Sequence, residues 1–302
     1  MGLLNPFALA GRWHRGVFHC HTTHSDGKRS VESLVAWYGE RGYDFVAITD
    51  HNQLTPPPAG RRERPLLISG TEVDVGRSRA GQPYHLIGIG LREMIELPRD
   101  MAARHRLPAQ DVIGALRRAG AVVYVAHPYW SGLVLDDLLP LEGIAGIEVF
   151  NANTEIEIGK GYSGVHWDDC LGLGKPLLGA ANDDAHWRLA DFGQAWTMLR
   201  AEALTPDSVV GALGAGAFYG STGPVLDDVT FDGQEATVRI APPGAAEVRF
   251  ACDHRWGRRV VADGTPLTSA TYTLLGREKF LRVEVTGPSG GRAWTNPLFL
   301  AR

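Results

Sequence analysis

The chain has 302 residues, enough for one barrel-sized domain and a smaller one, with 44% hydrophobic and 21% charged residues, the balance of an ordinary globular protein. A net charge of -4 supplies no basic field for gripping a long nucleic acid, and no apolar run approaches membrane-spanning length. The three cysteines (Cys20, Cys170, Cys252) are too scattered for a disulfide framework, and Met1–Ala10 lacks the basic start and cleavage motif of a leader, so a reducing, cytoplasmic setting is expected.

Strand-like runs alternate with helical patterns from Gly16 to about Ala217, which predicts βα units around a mainly parallel sheet. The run Gly16–His21 ends in His19 and His21, and Asp26 follows in His24-Ser25-Asp26-Gly27. Ser30 can cap a helix in which Val31, Leu34, Val35 and Tyr38 recur at helical spacing until Gly42. Val46–Thr49 leads to His51 and Leu66–Ser69 to Glu72, with a surface loop expected over Pro56–Arg62. His85 stands at the start of the run Leu86–Leu91, the one such residue not at a strand's downstream end. A helix is expected over Asp111–Ala119, and Val122–Ala126 then ends in His127. Ile147–Phe150, Leu177–Ala181 and Ala195–Leu199 follow, the second leading to Asp184 and His186, before a short helix marked by Val209, Val210 and Leu213. About eight strands result, roughly what an α/β barrel needs.

Near Ser221–Pro224 the texture changes. Runs at Ala236–Ile240, Glu247–Ala251, Thr271–Leu275 and Phe280–Val285 alternate in hydrophobicity between closely spaced turn residues. That pattern predicts a small antiparallel β-sandwich over 225–302, appended to a barrel over 1–224.

Strand C-terminal ends converge on one face of a parallel barrel, so residues remote in sequence meet there. Nine such residues are candidate metal ligands: His19, His21, Asp26, His51, Glu72, His85, His127, Asp184 and His186. Side chains two apart on a strand project to one face, so His19-x-His21 and Asp184-x-His186 can each present two donors together. Nine ligands exceed the three or four of a single catalytic zinc, which argues for two or three divalent ions. Such a cluster can share a hydroxide at neutral pH and clamp phosphoryl oxygens.

His19-x-His21, His24-Ser25-Asp26-Gly27, Thr49-Asp50-His51-Asn52, Gly70-Thr71-Glu72, His85, Ala126-His127-Pro128 and Asp184-x-His186 together resemble the motif set of the PHP (polymerase and histidinol phosphatase) superfamily, over about residues 14–200. The layout with Val165-His166-Trp167-Asp168 and a β-rich tail is also similar to the stand-alone branch containing carbaryl-type hydrolases. The resemblance implies a distorted (β/α)7 barrel with up to three ions of zinc, manganese or iron. It implies His19, His21, Glu72 and Asp184 around the first, Glu72, His85 and His127 around the second, and Asp26, His51 and His186 around the third. Some members carry His where this chain has Asp26, a harder ligand that would favour manganese or iron.

The expected activity is hydrolysis of a small phosphomonoester, nucleotide or short oligonucleotide by a metal-bridging hydroxide. The alternatives are an amide, ester or carbamate hydrolase and a metal-stabilised binding module. His24 can act as general acid or simply pack its loop, and Asp50 can orient a ligand imidazole or cap a turn. Arg188, with Lys28 and Arg29, can bind substrate phosphate or sit as ordinary surface cations. His166 can touch substrate. Trp130, Trp167 and Trp187 can form an aromatic rim, with core packing expected for at least two. Cys20 should point away from its two histidine neighbours, and Asp183 should be solvated or lie behind the ligands rather than among them.

Overall fold

The computed structural model describes residues 5–57, 64–253 and 256–300. Most of the expected Pro56–Arg62 loop, and the first four residues of Met1–Ala10, therefore lie outside the described residues.

Seven strands form the barrel: β1 (Arg12–Val17), β2 (Phe45–Ile48), β3 (Leu66–Val75), β4 (Tyr84–Ile89), β5 (Val122–Val125), β6 (Gly146–Asn151) and β7 (Leu178–Asn182). They are neighbours in that order. The pairs β1–β2, β2–β3, β5–β6 and β6–β7 are parallel. The chain past β1 meets the chain past β7 in a parallel bridge between Cys20 and Ala185, which closes the ring. The expectation of a mainly parallel sheet holds within the barrel except at β4, which runs antiparallel to both β3 and β5, and the expected eighth strand at Ala195–Leu199 instead pairs antiparallel with β1, outside the seven. The short turn between β3 and β4, with Gly76 and Gly81 at positive φ, leaves no room for a crossover helix, and an antiparallel hairpin follows.

Helices cover the outside and the base. In α1 (Val31–Glu40) Ser30 accepts a hydrogen bond from Ser33 N, and Val31, Leu34, Val35 and Tyr38 are buried, the face predicted by their spacing. Two four-residue helices, α2 (Met101–Arg104) and α4 (Leu135–Leu138), flank α3 (Ala109–Arg118). Between β6 and β7 lie α5 (Ala152–Ile158) and α6 (Gly164–Gly172), neither marked by a strong apolar period. Gly179 in β7 makes room for the Trp167 indole of α6, since a Cβ there would sit 2.4 Å from the ring. In α7 (Pro206–Ala215), Val209 and Leu213 join Phe18, Phe45, Ile87 and Tyr124 in the barrel interior, and the Tyr124 hydroxyl donates to the Leu213 carbonyl. The end remote from α7 is left for polar residues.

β8 (Trp196–Ala201) pairs antiparallel with β1, and β9 (Phe218–Ser221) with β8. Beyond β9 the chain forms β10 (Leu226–Phe231), β11 (Glu235–Ile240), β12 (Glu247–Ala251), β13 (Gly257–Val261), β14 (Ser269–Thr273), β15 (Phe280–Thr286), β16 (Arg292–Thr295) and β17 (Leu298–Phe299). One sheet, β10-β11-β14, packs on the other, β13-β12-β15-β16, around Val229, Val238, Val248, Phe250, Tyr272 and Val283. β16 pairs with β9, so one hydrogen-bonded ladder runs from barrel to sandwich without a break. Among the described residues, no helix is long and apolar enough to cross a membrane.

Candidate metal centre

The donors arrive from different strands at the end of the barrel opposite α7. Past β1 the backbone is held on both sides: Asp184 N donates to His19 O, His21 N to Ala185 O and Cys20 N to Thr49 Oγ1, at 3.0 to 3.1 Å. Cys20 turns away as expected and donates its thiol to the Ala47 carbonyl beneath α1, leaving His19 and His21 to project inward. Glu72 differs from expectation, because β3 does not end there but runs three residues further to pair with β4. The reversed direction of β4 explains His85: the start of an antiparallel strand lies at the same end of the barrel as the tops of the parallel ones.

Glu72 is the hub. Its Oε2 lies 3.2 Å from His19 Nε2, His21 Nε2 and His51 Nδ1, and its Oε1 lies 2.8 Å from His85 Nδ1 and 3.2 Å from His127 Nε2. Asp184 Oδ1 is 3.2 Å from His19 Nε2 and 3.1 Å from His21 Nε2. Asp26 Oδ1 is 3.3 Å from His186 Nε2 and 3.7 Å from His51 Nε2. Three clusters emerge: His19, His21, Glu72 and Asp184; His51, Glu72 and His85; and His21, Asp26, His51 and His186, with donor atoms inside each within 4.8 Å of one another. The first matches the set the resemblance implies. The second contains His51 beside Glu72 and His85, while His127 faces the same Glu72 oxygen.

The donor set fits divalent cations for a specific reason. Glu148 Oε1 lies 2.8 Å from His19 Nδ1, which places a ring proton on that nitrogen and, in the neutral ring, leaves a lone pair on Nε2. That lone pair faces two carboxylate oxygens, and His19 Nε2, His21 Nε2 and Asp184 Oδ1 are all buried without a hydrogen-bond partner. Ring nitrogens and carboxylate oxygens buried together without hydrogen-bond geometry are costly unless a cation, metal or proton, lies between them. Four ligands about 2.0–2.1 Å from a tetrahedral zinc would stand roughly 3.3 Å apart, close to the spacings of 3.1 and 3.2 Å here.

The same groups also shift one another's charge. Burial opposes charge on Asp184 and Glu72, yet the surrounding imidazoles outweigh it and hold both carboxyls well below the usual carboxylate range. Burial likewise lowers His19 and His85, but neighbouring carboxylates reverse the sign and raise both. At His51 burial prevails and the imidazole is lowered. Backbone strain also gathers here. The four non-glycine residues of positive φ among those described are Asn52, His127, Asp184 and Trp187, at 57°, 27°, 53° and 62°, two of them candidate ligands and two directly following one.

The supporting shell was largely missed by sequence reasoning. Fully buried Glu148 accepts from His127 N and Asn151 Nδ2 through Oε2, and from Asn182 Nδ2 through Oε1. Its signal was a lone acid inside an apolar strand run. Ser131 Oγ lies 3.0 Å from His127 Nδ1, and Asp191 accepts from His186 N and Trp187 N. Asp183 sits behind the cluster as expected, accepting from the Tyr38 hydroxyl and the amides of Gly193, Gln194 and Ala195.

The other candidates divide. Asp50 accepts from Thr22 N, Thr22 Oγ1, Ser25 Oγ and Thr55 Oγ1, so it fixes the loop carrying Asp26 and contacts no ligand imidazole directly. Arg188 lines the cavity above the donors and bonds the carbonyl and carboxylate of Asp26. His24 is exposed and outside the cavity lining. His166 sits on α6 with Nε2 on the Leu133 carbonyl, also outside that lining, because the helix directs it toward the β5–α4 loop. Lys28 and Arg29 do not line the cavity, and the Arg29 guanidinium lies over Trp187. Trp167 is core, Trp187 stacks on Phe192, and only Trp130 of the three reaches the cavity. This cavity, of about 640 Å³, opens directly over the donors.

No family model matches the chain. A curated relative, phosphoribosyl 1,2-cyclic phosphate 1,2-diphosphodiesterase of Eggerthella lenta, is 29% identical over 79 residues; the match spans 25% of this chain and 30% of that protein's length. Among solved structures, the chain resembles a two-domain protein from Bacteroides vulgatus containing a predicted PHP-like metal-dependent phosphoesterase. The TM-score is 0.52 at 18% identity, over 97% of this chain and 98% of that one. A candidate metal-dependent phosphoesterase from Bifidobacterium adolescentis aligns at TM-score 0.43 and 18% identity, over 67% of this chain and 96% of that one. By fold, this chain is a PHP-like barrel joined to a β-sandwich.

Proposed function

We propose that the chain is a metal-dependent hydrolase of phosphate esters, acting on a small phosphomonoester, nucleotide or short oligonucleotide. The observation that carries this reading is the convergence of buried imidazoles and carboxylates around Glu72 and Asp184, with His19 Nε2, His21 Nε2 and Asp184 Oδ1 lacking a hydrogen-bond partner, at the floor of an open cavity. In this reading two or three ions of zinc, manganese or iron are held by His19, His21, Glu72 and Asp184, by Glu72, His85 and His127 with His51, and by Asp26, His51 and His186. Bound there, such ions supply Lewis acidity toward a phosphoryl oxygen and lower the pKa of water.

The chain's own residues set the geometry. Glu148 fixes the ring of His19 and the backbone of His127, and Asp191 fixes the turn that carries His186. Arg188 holds Asp26 and keeps further guanidinium hydrogens available at the cavity wall for an anionic oxygen. The free, buried thiols Cys20, Cys170 and Cys252 suit the cytoplasmic setting proposed from composition.

The test is phosphate release from a panel of phosphomonoesters, nucleotides and short oligonucleotides by manganese-loaded protein. Inactivity across the panel, with metal content verified on the same sample, refutes the reading. A second reading, hydrolysis of an ester or carbamate, is favoured by one feature: among the described residues Arg188 is the only Lys or Arg lining the cavity, beside the apolar Trp130, Ile156 and Leu189. Turnover of an aryl carbamate and an aryl phosphate by one preparation separates the two.

A further inference from the structure

The metal donors line the floor of the cavity, and part of its rim comes from three separate loops and helices. Trp130 follows β5, Ile156 lies on α5, and Leu189 lies between β7 and β8. These three are 36%, 44% and 43% exposed, so large apolar surfaces from three elements face water around one opening. Trp130 is braced edge-to-face, its ring centroid 5.8 Å from that of His85 and 4.9 Å from that of His127. Among the described residues charge at the rim is sparse: Glu157 from α5 lines it, and one guanidinium, Arg188, bonds Asp26.

We propose that the leaving-group half of the substrate is a flat, uncharged ring seated between Trp130 and the Ile156–Leu189 side of the rim. Glu157 accepts a hydrogen bond from a hydroxyl or amino group on that ring and disfavours a second phosphate. This deepens the phosphoesterase reading and rests on it. A ring has two faces to cover, and the rim offers both an indole and aliphatic carbon. Among the described residues a second phosphate would meet the Glu157 carboxylate and one guanidinium, whose remaining hydrogens the first phosphate would use, which is unfavourable in a partly enclosed site. An aryl monoester and a nucleoside monophosphate share the required chemistry.

The experiment compares kcat/KM of the manganese-loaded full chain for phenyl phosphate, adenosine monophosphate, adenosine diphosphate and glycerol phosphate. Both ring-bearing monoesters should exceed glycerol phosphate by about tenfold, the order of one stacking contact. The gap should lie in KM, and the diphosphate should trail the monophosphate. Phenyl phosphate alone exceeding glycerol phosphate marks an aryl substrate, and adenosine monophosphate alone a nucleoside; either upholds the ring subsite. Ile156→Ala/Leu189→Ala should collapse the ring-to-glycerol ratio toward one, Trp130→Ala should do the same, and Trp130→Phe should keep most of it. Glu157→Gln should narrow the penalty on the diphosphate. Equal kcat/KM for ring and glycerol esters, or an unchanged ratio in the double variant, overturns the proposal. Calorimetric binding of phenylphosphonate against methylphosphonate needs no turnover. A preference for the phenyl compound that the double variant abolishes upholds the ring subsite even if no ester is hydrolysed, and the phosphoesterase reading then fails alone.

Discussion

Glu148→Gln is nearly isosteric, yet it should weaken metal binding at the first cluster by roughly tenfold to a hundredfold, the usual effect of removing a carboxylate behind a ligand histidine. Oε1 meets His19 Nδ1 and Asn182 Nδ2, and Oε2 meets His127 N and Asn151 Nδ2. An amide cannot serve both sides. If its oxygen faces His19, its NH2 group confronts the donors of His127 and Asn151. If it turns over, the NH2 group confronts His19 Nδ1, and the imidazole proton moves to Nε2, where a cation would lie. The affinity loss corresponds to about 1.4–2.7 kcal/mol, and buried unsatisfied donors add about 1–3 kcal/mol of destabilisation. Zinc and manganese affinities follow from competition with a chromophoric chelator, and folding from thermal denaturation of the metal-free protein. A folded variant with wild-type metal affinity would refute the claim that Glu148 sets the tautomer of His19.

Glu72→Ala should remove metal and activity together, because no methyl group replaces a carboxylate facing five imidazoles; unchanged metal content by elemental analysis contradicts its bridging role. Loading the metal-free protein should release protons at neutral pH. Burial lowers the His21 imidazole, but Asp184 and Glu72 outweigh it and hold it up to about 9, whereas metal needs the neutral ring. Calorimetry in two buffers of different ionisation heat counts those protons, and none released is the adverse result. The same raised value stabilises the metal-free fold fully below the ordinary value of 6.5, and that contribution fades as pH rises through about 9. Truncation after Pro224 should yield an aggregating, dye-binding fragment. Phe280 and Trp294 of the sandwich are fully buried in one core with Leu116, Ile147 and Trp167 of the barrel, and losing such a ring costs about 3–5 kcal/mol. A soluble, active fragment would reduce the sandwich to an accessory.

What was legible in the sequence was whatever period and position encode. The apolar spacing of α1, the downstream placing of His51 and His127, and the opposite facing of Cys20 all follow from local geometry. What stayed hidden depended on contacts between distant segments. The direction of β4 is set by the turn before it and by neighbours on both sides, none of which leaves a periodic trace. Helix α6 lacks a strong apolar stripe because β6, β7 and the sandwich cover it from several directions, and α5 lacks one because only Ala152 and Thr154 of it are buried. His166 reads as a site residue only until α6 is known to direct it toward Leu133.

One irregularity ties the sandwich to the site. Residues two apart on a regular strand share a face, so Glu148 and Phe150 of β6 would project together. The pairing of β6 with β7 slips between them: Glu148 aligns with Ala180 and Phe150 with Ala181, so one residue is bulged out. Glu148 can then face inward to His19 while Phe150 packs on Trp294, with ring centroids 5.6 Å apart. The seam is pinned again where fully buried Arg282 of β15 reaches Asp168 of α6 and lies over the Trp167 ring at 4.6 Å. Breaking such a buried pair costs far more than an exposed one, because it strands a charge. The strand that orients the first cluster is therefore clamped from behind by the sandwich, and a change at Trp294 should reach His19 through two residues of β6.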